Sequence, residues 1–210
     1  MIRRPPRSTL SSSSAASDVY KRQTLTHMNS NGKLVEADEK YLRERRSKIG
    51  MVFQQFNLFP HMTALQNCIE APVEVLGMKK EEAEERALEL LELVGLTDKK
   101  DQHPSRLSGG QQQMLALSKA VLLEPELLLI DELSLGLAPV VVQDLLKVVE
   151  QLKDLGITMV IVEQSVNVAL SIADRAIFME RGRVQFQGPA QELLERDDLL
   201  RAVFLSGEGA

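Results

Sequence analysis

Between residues 127 and 162 the hydrophobic period changes twice, and that change limits the folds open to the chain. Residues 127–130 are a continuous apolar run, as expected of a strand buried on both faces. Residues 140–155 follow a helical period, and residues 159–162 read as a second buried strand. Strand, helix and strand in that order require a crossover. The two strands therefore share a parallel sheet, and the fold is α/β.

The rest of the chain fits this frame. Residues 39–46 form a charged helical stretch, and residues 48–53 read as a short buried strand. Residues 63–96 are helical in pattern. Ala83, Ala87, Leu90, Leu91 and Val94 lie on one face, four glutamates lie on the other, and Gly95 ends the helix. A further helix follows Ser108 over residues 111–123, and a short one covers 166–173. Residues 176–186 read as two strands about a turn at Arg181-Gly182, and residues 190–196 and 198–204 as closing helices. Asn31-Gly32 is a turn signal. Residues 1–23 differ in kind: Arg3-Arg4-Pro5-Pro6-Arg7 and the serine run 11–14 show no apolar period, so disorder is expected. Pro5-Pro6 breaks the amphipathic helix that a transit peptide needs. The segment looks more like translated adaptor sequence than a targeting signal.

Composition removes several functions. The net charge is −5 over 210 residues, so no basic footprint argues for nucleic acid. Tryptophan is absent and aromatics are 4 %, which leaves no base-stacking platform. Cys68 is the only cysteine, and His27, His61 and His103 are too scattered for a local metal-ligand pattern. No apolar run reaches the roughly 20 residues that span a bilayer, so a membrane role would go through a partner.

Two motifs carry chemistry. Leu128-Leu129-Ile130-Asp131-Glu132 places two carboxylates at the C-terminal end of a strand, where open α/β sheets bind ligands. An aspartate there can hold Mg²⁺, and a glutamate beside it can polarise the water that attacks a terminal phosphate. Taken alone, the pattern also fits an ordinary strand end. The string Leu107-Ser108-Gly109-Gly110-Gln111 opens a helix. Ser108 caps it, the glycines let backbone amides approach a ligand, and the helix dipole favours an anion. Its alternative is a glycine-rich cap with no ligand.

With Val52-Phe53-Gln54, these strings resemble the ABC-transporter ATPase family from about Gly32 to the chain end. The resemblance implies an ATPase core with an inserted helical subdomain. Residues 24–62 would be a partial core with the Q-loop, 63–125 the helical subdomain with the signature motif, and 126–210 the core with Walker B, D-loop and switch. It implies that Glu132 is the catalytic carboxylate and that Asp131 binds Mg²⁺. Gln54 would contact Mg²⁺ and the attacking water. Leu107, Ser108, Gly109, Gly110 and Gln111 would close over ATP held by a second ATPase subunit. It further implies transmembrane permease subunits, docked near residues 56–60, a solute-binding protein, and a place on the cytoplasmic face of the cell membrane.

The sequence departs from the family pattern at four places. No G-x-x-x-x-G-K-[ST] string exists: the only Gly-Lys pair is Gly32-Lys33, with His27 and Leu34 at the other motif positions. The expectation is a truncated chain that lacks the N-terminal β region. Gln164, the second catalytic residue that the resemblance implies, stands where the family has a histidine and could still donate a hydrogen bond to a γ-phosphate without carrying charge; Leu133 stands where the family has a proline. The D-loop reads Ser134-Leu135-Gly136-Leu137-Ala138. Residues 134–139 with Val162-Glu163-Gln164 resemble branched-chain amino acid importers, whereas residues 48–113 resemble importers of polar amino acids or ectoine. The implied function is ATP-driven import of amino acids or related solutes. The rival is a non-catalytic fragment or interaction module.

Overall fold

The computed structural model describes the backbone of residues 17–18, 23–24, 27–30 and 33–195, and side chains from 35 to 195 except Leu194. The helix expected over 198–204 and most of the segment 1–23 lie outside these residues. The chain divides into two units, Met1–Ile49 and Gly50–Ala210.

The first unit is built of hairpins and one helix. Strand β1 (Ser17–Asp18) pairs antiparallel with β2 (Gln23–Thr24), so the end of the segment expected to be disordered carries a strand pair. Strand β3 (His27–Ser30) pairs antiparallel with β4 (Lys33–Glu36). Ser30 faces Lys33 in that ladder, which leaves two residues for the connection, as the Asn-Gly signal requires. Lys33 therefore opens a strand of a hairpin. A phosphate loop needs its lysine between a strand and a helix, so Gly32-Lys33 does not supply one. Helix α1 (Glu39–Arg46) is capped by Asp38, whose Oδ1 accepts from the Tyr41 amide at 2.8 Å.

The second unit holds a three-stranded sheet in the order β5-β6-β7: Ile49–Val52, Leu127–Asp131 and Thr158–Val162. Strands β6 and β7 run parallel, with Asp131 opposite Val162. The expected crossover between them is helix α5 (Pro139–Asp154). The burial expected of both strands needs correcting. Strand β6 is fully buried on one face only: Leu128 and Ile130 are closed off, while Leu127 and Leu129 are half-buried. Strand β7, expected to be buried as well, is instead an edge, and Val160 and Val162 are exposed. An apolar run cannot by itself tell a central strand from an edge.

The helical pattern over 63–96 resolves into α2 (Ala64–Glu74) and α3 (Lys80–Leu93). Pro72 cannot donate within α2, and Gly77 at φ 67° turns the chain two residues beyond the cap. Helix α4 (Gly109–Val121) follows Ser108. Leu115, Leu117, Leu128, Ile130, Leu145 and Val149 share one core with Leu91 and Cys68 of α3 and α2. Each such buried side chain contributes about 1.5–3 kcal/mol. Helix α6 (Val166–Ile172) then leads to the hairpin of β8 (Arg175–Glu180) and β9 (Arg183–Pro189), with Gly182 at φ 74° between them. Helix α7 (Ala190–Leu194) closes the described chain.

Candidate active site

The parallel register of β6 and β7 brings their C-terminal ends together, and the chemistry-bearing residues follow directly. Asp131 is the last residue of β6. Glu132 then adopts φ 53°, in the left-handed region that non-glycine residues rarely occupy. Its amide donates to the Val162 carbonyl at 2.9 Å, which prolongs the ladder by one bond. Leu133 behind it is buried in the core. The strained turn is therefore pinned from both sides.

The side chains of Glu132 and Gln164 meet. Gln164 Nε2 donates to Glu132 Oε1 at 2.8 Å. Glu132 Oε2 is buried and has no partner among the described residues. A carboxylate oxygen closed off in this way calls for a donor or a cation. Asp131 beside it makes no side-chain hydrogen bond among the described residues. Two neighbouring carboxylates with free oxygens suit a hard cation such as Mg²⁺, which takes one or two carboxylates together with substrate phosphates. Among the described residues no cluster of three or more His, Cys, Asp or Glu could form a cage of its own.

Residues 163 and 134 form a second tie across the strand ends. The Ser134 amide donates to Glu163 Oε1 at 2.7 Å, and Ser134 Oγ donates to Glu163 Oε2 at 3.0 Å. Successive residues of an extended chain point to opposite sides. Glu163 and Gln164 thus hold Ser134 and Glu132 respectively. Sequence reasoning singled out Gln164 and passed over Glu163, although its place beside a switch residue was a usable signal.

The glycine-rich string opens α4 as expected, but its side chains are committed locally. Ser108 Oγ accepts from the Gln111 amide at 3.3 Å, and the Ser108 amide donates to Gln111 Oε1 at 2.9 Å, a reciprocal cap. Leu107 is buried, and its carbonyl accepts from Gln112 Nε2 at 3.1 Å. The two glycines differ. A Cβ on Gly109 would meet only Leu137 at 3.5 Å, whereas one on Gly110 would lie 2.2 Å from Val141 of α5. Gly110 is glycine because α5 packs against it, a demand separate from any ligand. No hydrogen bond joins residues 107–111 to Asp131, Glu132 or Gln164 among the described residues.

Gln54 is exposed, just past β5, the sheet neighbour of β6. Phe56 and Asn57 beyond it both take positive φ, 61° and 46°. Two unforeseen side chains hold this loop. Lys119 of α4 donates to the Asn57 carbonyl at 3.0 Å and stands 4.2 Å from the centre of the Phe59 ring. Burial lowers the Lys119 pKa. Asn67, fully buried in α2, accepts from the Phe59 amide at 2.7 Å and donates to the carbonyls of Phe59, Met62 and Thr63.

Comparison with known proteins agrees with this arrangement. The family model described as "ABC transporter" matches residues 18–134, starting inside the segment read as disordered adaptor sequence. A probable amino-acid ABC transporter ATP-binding protein, y4tH of Sinorhizobium fredii, is 45% identical over 83% of this chain and 68% of its own. The arginine transport ATP-binding protein ArgV of Corynebacterium glutamicum is 46% identical over 78% of this chain and 65% of its own. The chain thus spans about two thirds of the length of these relatives. Among solved structures, cbiO1 of Clostridium perfringens, part of the complex cbiONQ, matches with TM-score 0.70 at 29% identity over 83% of this chain and 70% of that one. The dimeric post-hydrolysis state of the cassette MJ0796, bound to ADP and Pi, matches with TM-score 0.64 at 32% identity over 78% and 73%.

Proposed function

The chain belongs to the ABC transporter ATP-binding family, and from that premise we propose that it is the ATPase subunit of an importer for amino acids or related solutes. The observation that carries the reading is Glu132. It follows the Asp131 strand end, one oxygen is held by Gln164, and the other is buried and unpartnered. In this reading Glu132 Oε2 orients the attacking water and accepts its proton. Asp131 and Gln54 would hold Mg²⁺, whose charge offsets that developing on the phosphate oxygens. Gln164 fixes the Glu132 carboxylate in one orientation. Residues 107–111 would close over ATP carried by a second ATPase subunit, as the capped start of α4 offers amides and a positive dipole end.

The relatives are named for amino-acid and arginine transport, which supports the substrate class. No helix among the described residues is long and apolar enough to cross a membrane. Transport would therefore run through permease subunits, with this chain on their cytoplasmic face and a solute-binding protein supplying the cargo. A second reading is an interaction module without turnover, favoured by the absence of a G-x-x-x-x-G-K-[ST] string from the sequence.

The test is ATP-driven uptake of labelled amino acids into proteoliposomes holding this chain with the permease subunits and binding protein of a polar amino-acid importer. Uptake that disappears in Glu132→Gln supports the first reading. Stable permease binding without uptake supports the second. Absence of both sinks the pair.

A further inference from the structure

The left-handed turn at Glu132 is tied to the last residue of β7 and to the residue after it by three backbone or Ser134 hydrogen bonds, and two of them end on one side chain. The Glu132 amide donates to the Val162 carbonyl at 2.9 Å. The Ser134 amide and hydroxyl both donate to the Glu163 carboxylate, at 2.7 and 3.0 Å. Between them Leu133 is buried and anchors the turn in the core. A non-glycine residue at φ 53° persists only where its surroundings over-determine it. Hydrogen bonds to an ionised carboxylate are the strong kind, and a bidentate pair fixes direction as well as distance.

We infer that Glu163 is a positioning residue: by clamping Ser134 it holds the Glu132 backbone left-handed and keeps the Glu132 carboxylate within reach of Gln164. This rests on the reading of Glu132 as the catalytic carboxylate. Glu163 itself touches neither Glu132 nor Gln164 through its side-chain bonds. Its effect passes through Ser134 and Leu133. The same clamp fixes where the following loop, Leu135-Gly136-Leu137-Ala138, leaves the site. Gly136, at φ 71°, is the next point at which the backbone can swing.

The experiment is nuclear magnetic resonance on the full ¹⁵N-labelled chain, comparing the parent with Glu163→Ala, Glu163→Gln, Ser134→Ala and, as the reference for an untied Gln164, Glu132→Ala. Two signals are read: exchange of the Ser134 amide, and the side-chain NH₂ resonances of Gln164. The amide of Leu91, buried in α3, serves as a reference for global stability. In Glu163→Ala the Ser134 amide should exchange about tenfold faster or more, as loss of a bond to a charged acceptor implies. The Gln164 resonances should move toward those of Glu132→Ala. Leu91 exchange should hold within about twofold, since surface-side changes leave core openings unaltered. Glu163→Gln keeps an acceptor for the Ser134 amide and should restore the Gln164 signal. If Glu163→Ala does not fold, the contrast between Glu163→Gln and Ser134→Ala decides: the first should keep Ser134 amide protection and the second should lose the hydroxyl tie. An unmoved Gln164 signal, or acceleration at Leu91 equal to that at Ser134, overturns the inference. Adding Mg²⁺ and ATP to a version that carries a relative's phosphate loop is the separate arm. No response at Glu132 would count against the catalytic reading and leave the positioning result standing.

Discussion

Gln164 reaches back from the end of β7 to donate to Glu132 Oε1 at 2.8 Å, and it leaves Oε2 as the only oxygen of that carboxylate without a partner. One oxygen is used for orientation and the other remains for chemistry. Because Gln164 is neutral, it adds no titration of its own to the site.

The first prediction separates those two uses, in a version that carries a relative's phosphate loop. Glu132→Gln keeps an oxygen for Gln164 but removes the base. Turnover should fall about 10²–10⁴-fold while ATP binding stays. Gln164→Ala removes one hydrogen bond, about 0.5–1.5 kcal/mol, so turnover should fall about tenfold at most. Steady-state ATPase assays check both. Near-parental turnover in Glu132→Gln beside an inactive Gln164→Ala would assign the base wrongly.

Mg-ATP should bind this chain weakly on its own. Lys33, the only lysine preceded by glycine, begins a hairpin strand, and nothing described supplies the amides and lysine that cradle phosphates. Isothermal titration calorimetry is the measurement. A dissociation constant in the low micromolar range would contradict the expectation.

Gly110→Ala and Gly109→Ala should part company in a thermal melt. The added methyl at 110 runs into Val141 Cγ1 at 2.2 Å, an overpacking that typically costs about 1–3 kcal/mol. At 109 the nearest neighbour is 3.5 Å away, and stability should hold within about 0.5 kcal/mol. Val141→Ala should rescue much of the loss at 110. If it does not, the glycine is there for another reason.

Stability should decline in alkali through Cys68. Burial pushes its thiol up from 9.0 to about 12, with Lys119 opposing weakly. Above pH 9 the unfolded chain releases the proton while the folded one keeps it, so ionisation favours unfolding. The stabilisation is complete below pH 9 and is lost toward pH 12, at about 1.4 kcal/mol per pH unit. Urea denaturation of the parent and Cys68→Ala across this range should show the difference between them shrinking as pH rises. A constant difference would mean that the thiol ionises equally in both states.

Regular elements with strong patterns were legible in the sequence. The period change at residues 127–162 delivered β6, α5 and β7 within one or two residues, because burial of alternate faces leaves few other solutions. Glu132 and Gln164 could be named because strand ends and motif strings are local. Their hydrogen bond could not, since it joins residues 32 apart through a register that only the sheet fixes. The same holds for Lys119, which reaches Asn57 across 62 residues. Asn67 was overlooked because a polar residue in the first turn of a helix reads as solvated, whereas here it is fully buried. The even burial expected of β6 failed although it is the central strand, because an apolar run does not reveal that one face of the sheet is covered less fully than the other.

Helix α4 is capped by Ser108 and carries Lys119 near its other end. At about 1.5 Å per residue its 13 residues make a rod ~20 Å long. An α-helix resists stretching, so the rod transmits thrust. A shift of the capped end along the axis would carry Lys119 with it, and so would act on the Asn57 carbonyl and the Phe59 ring that this side chain holds.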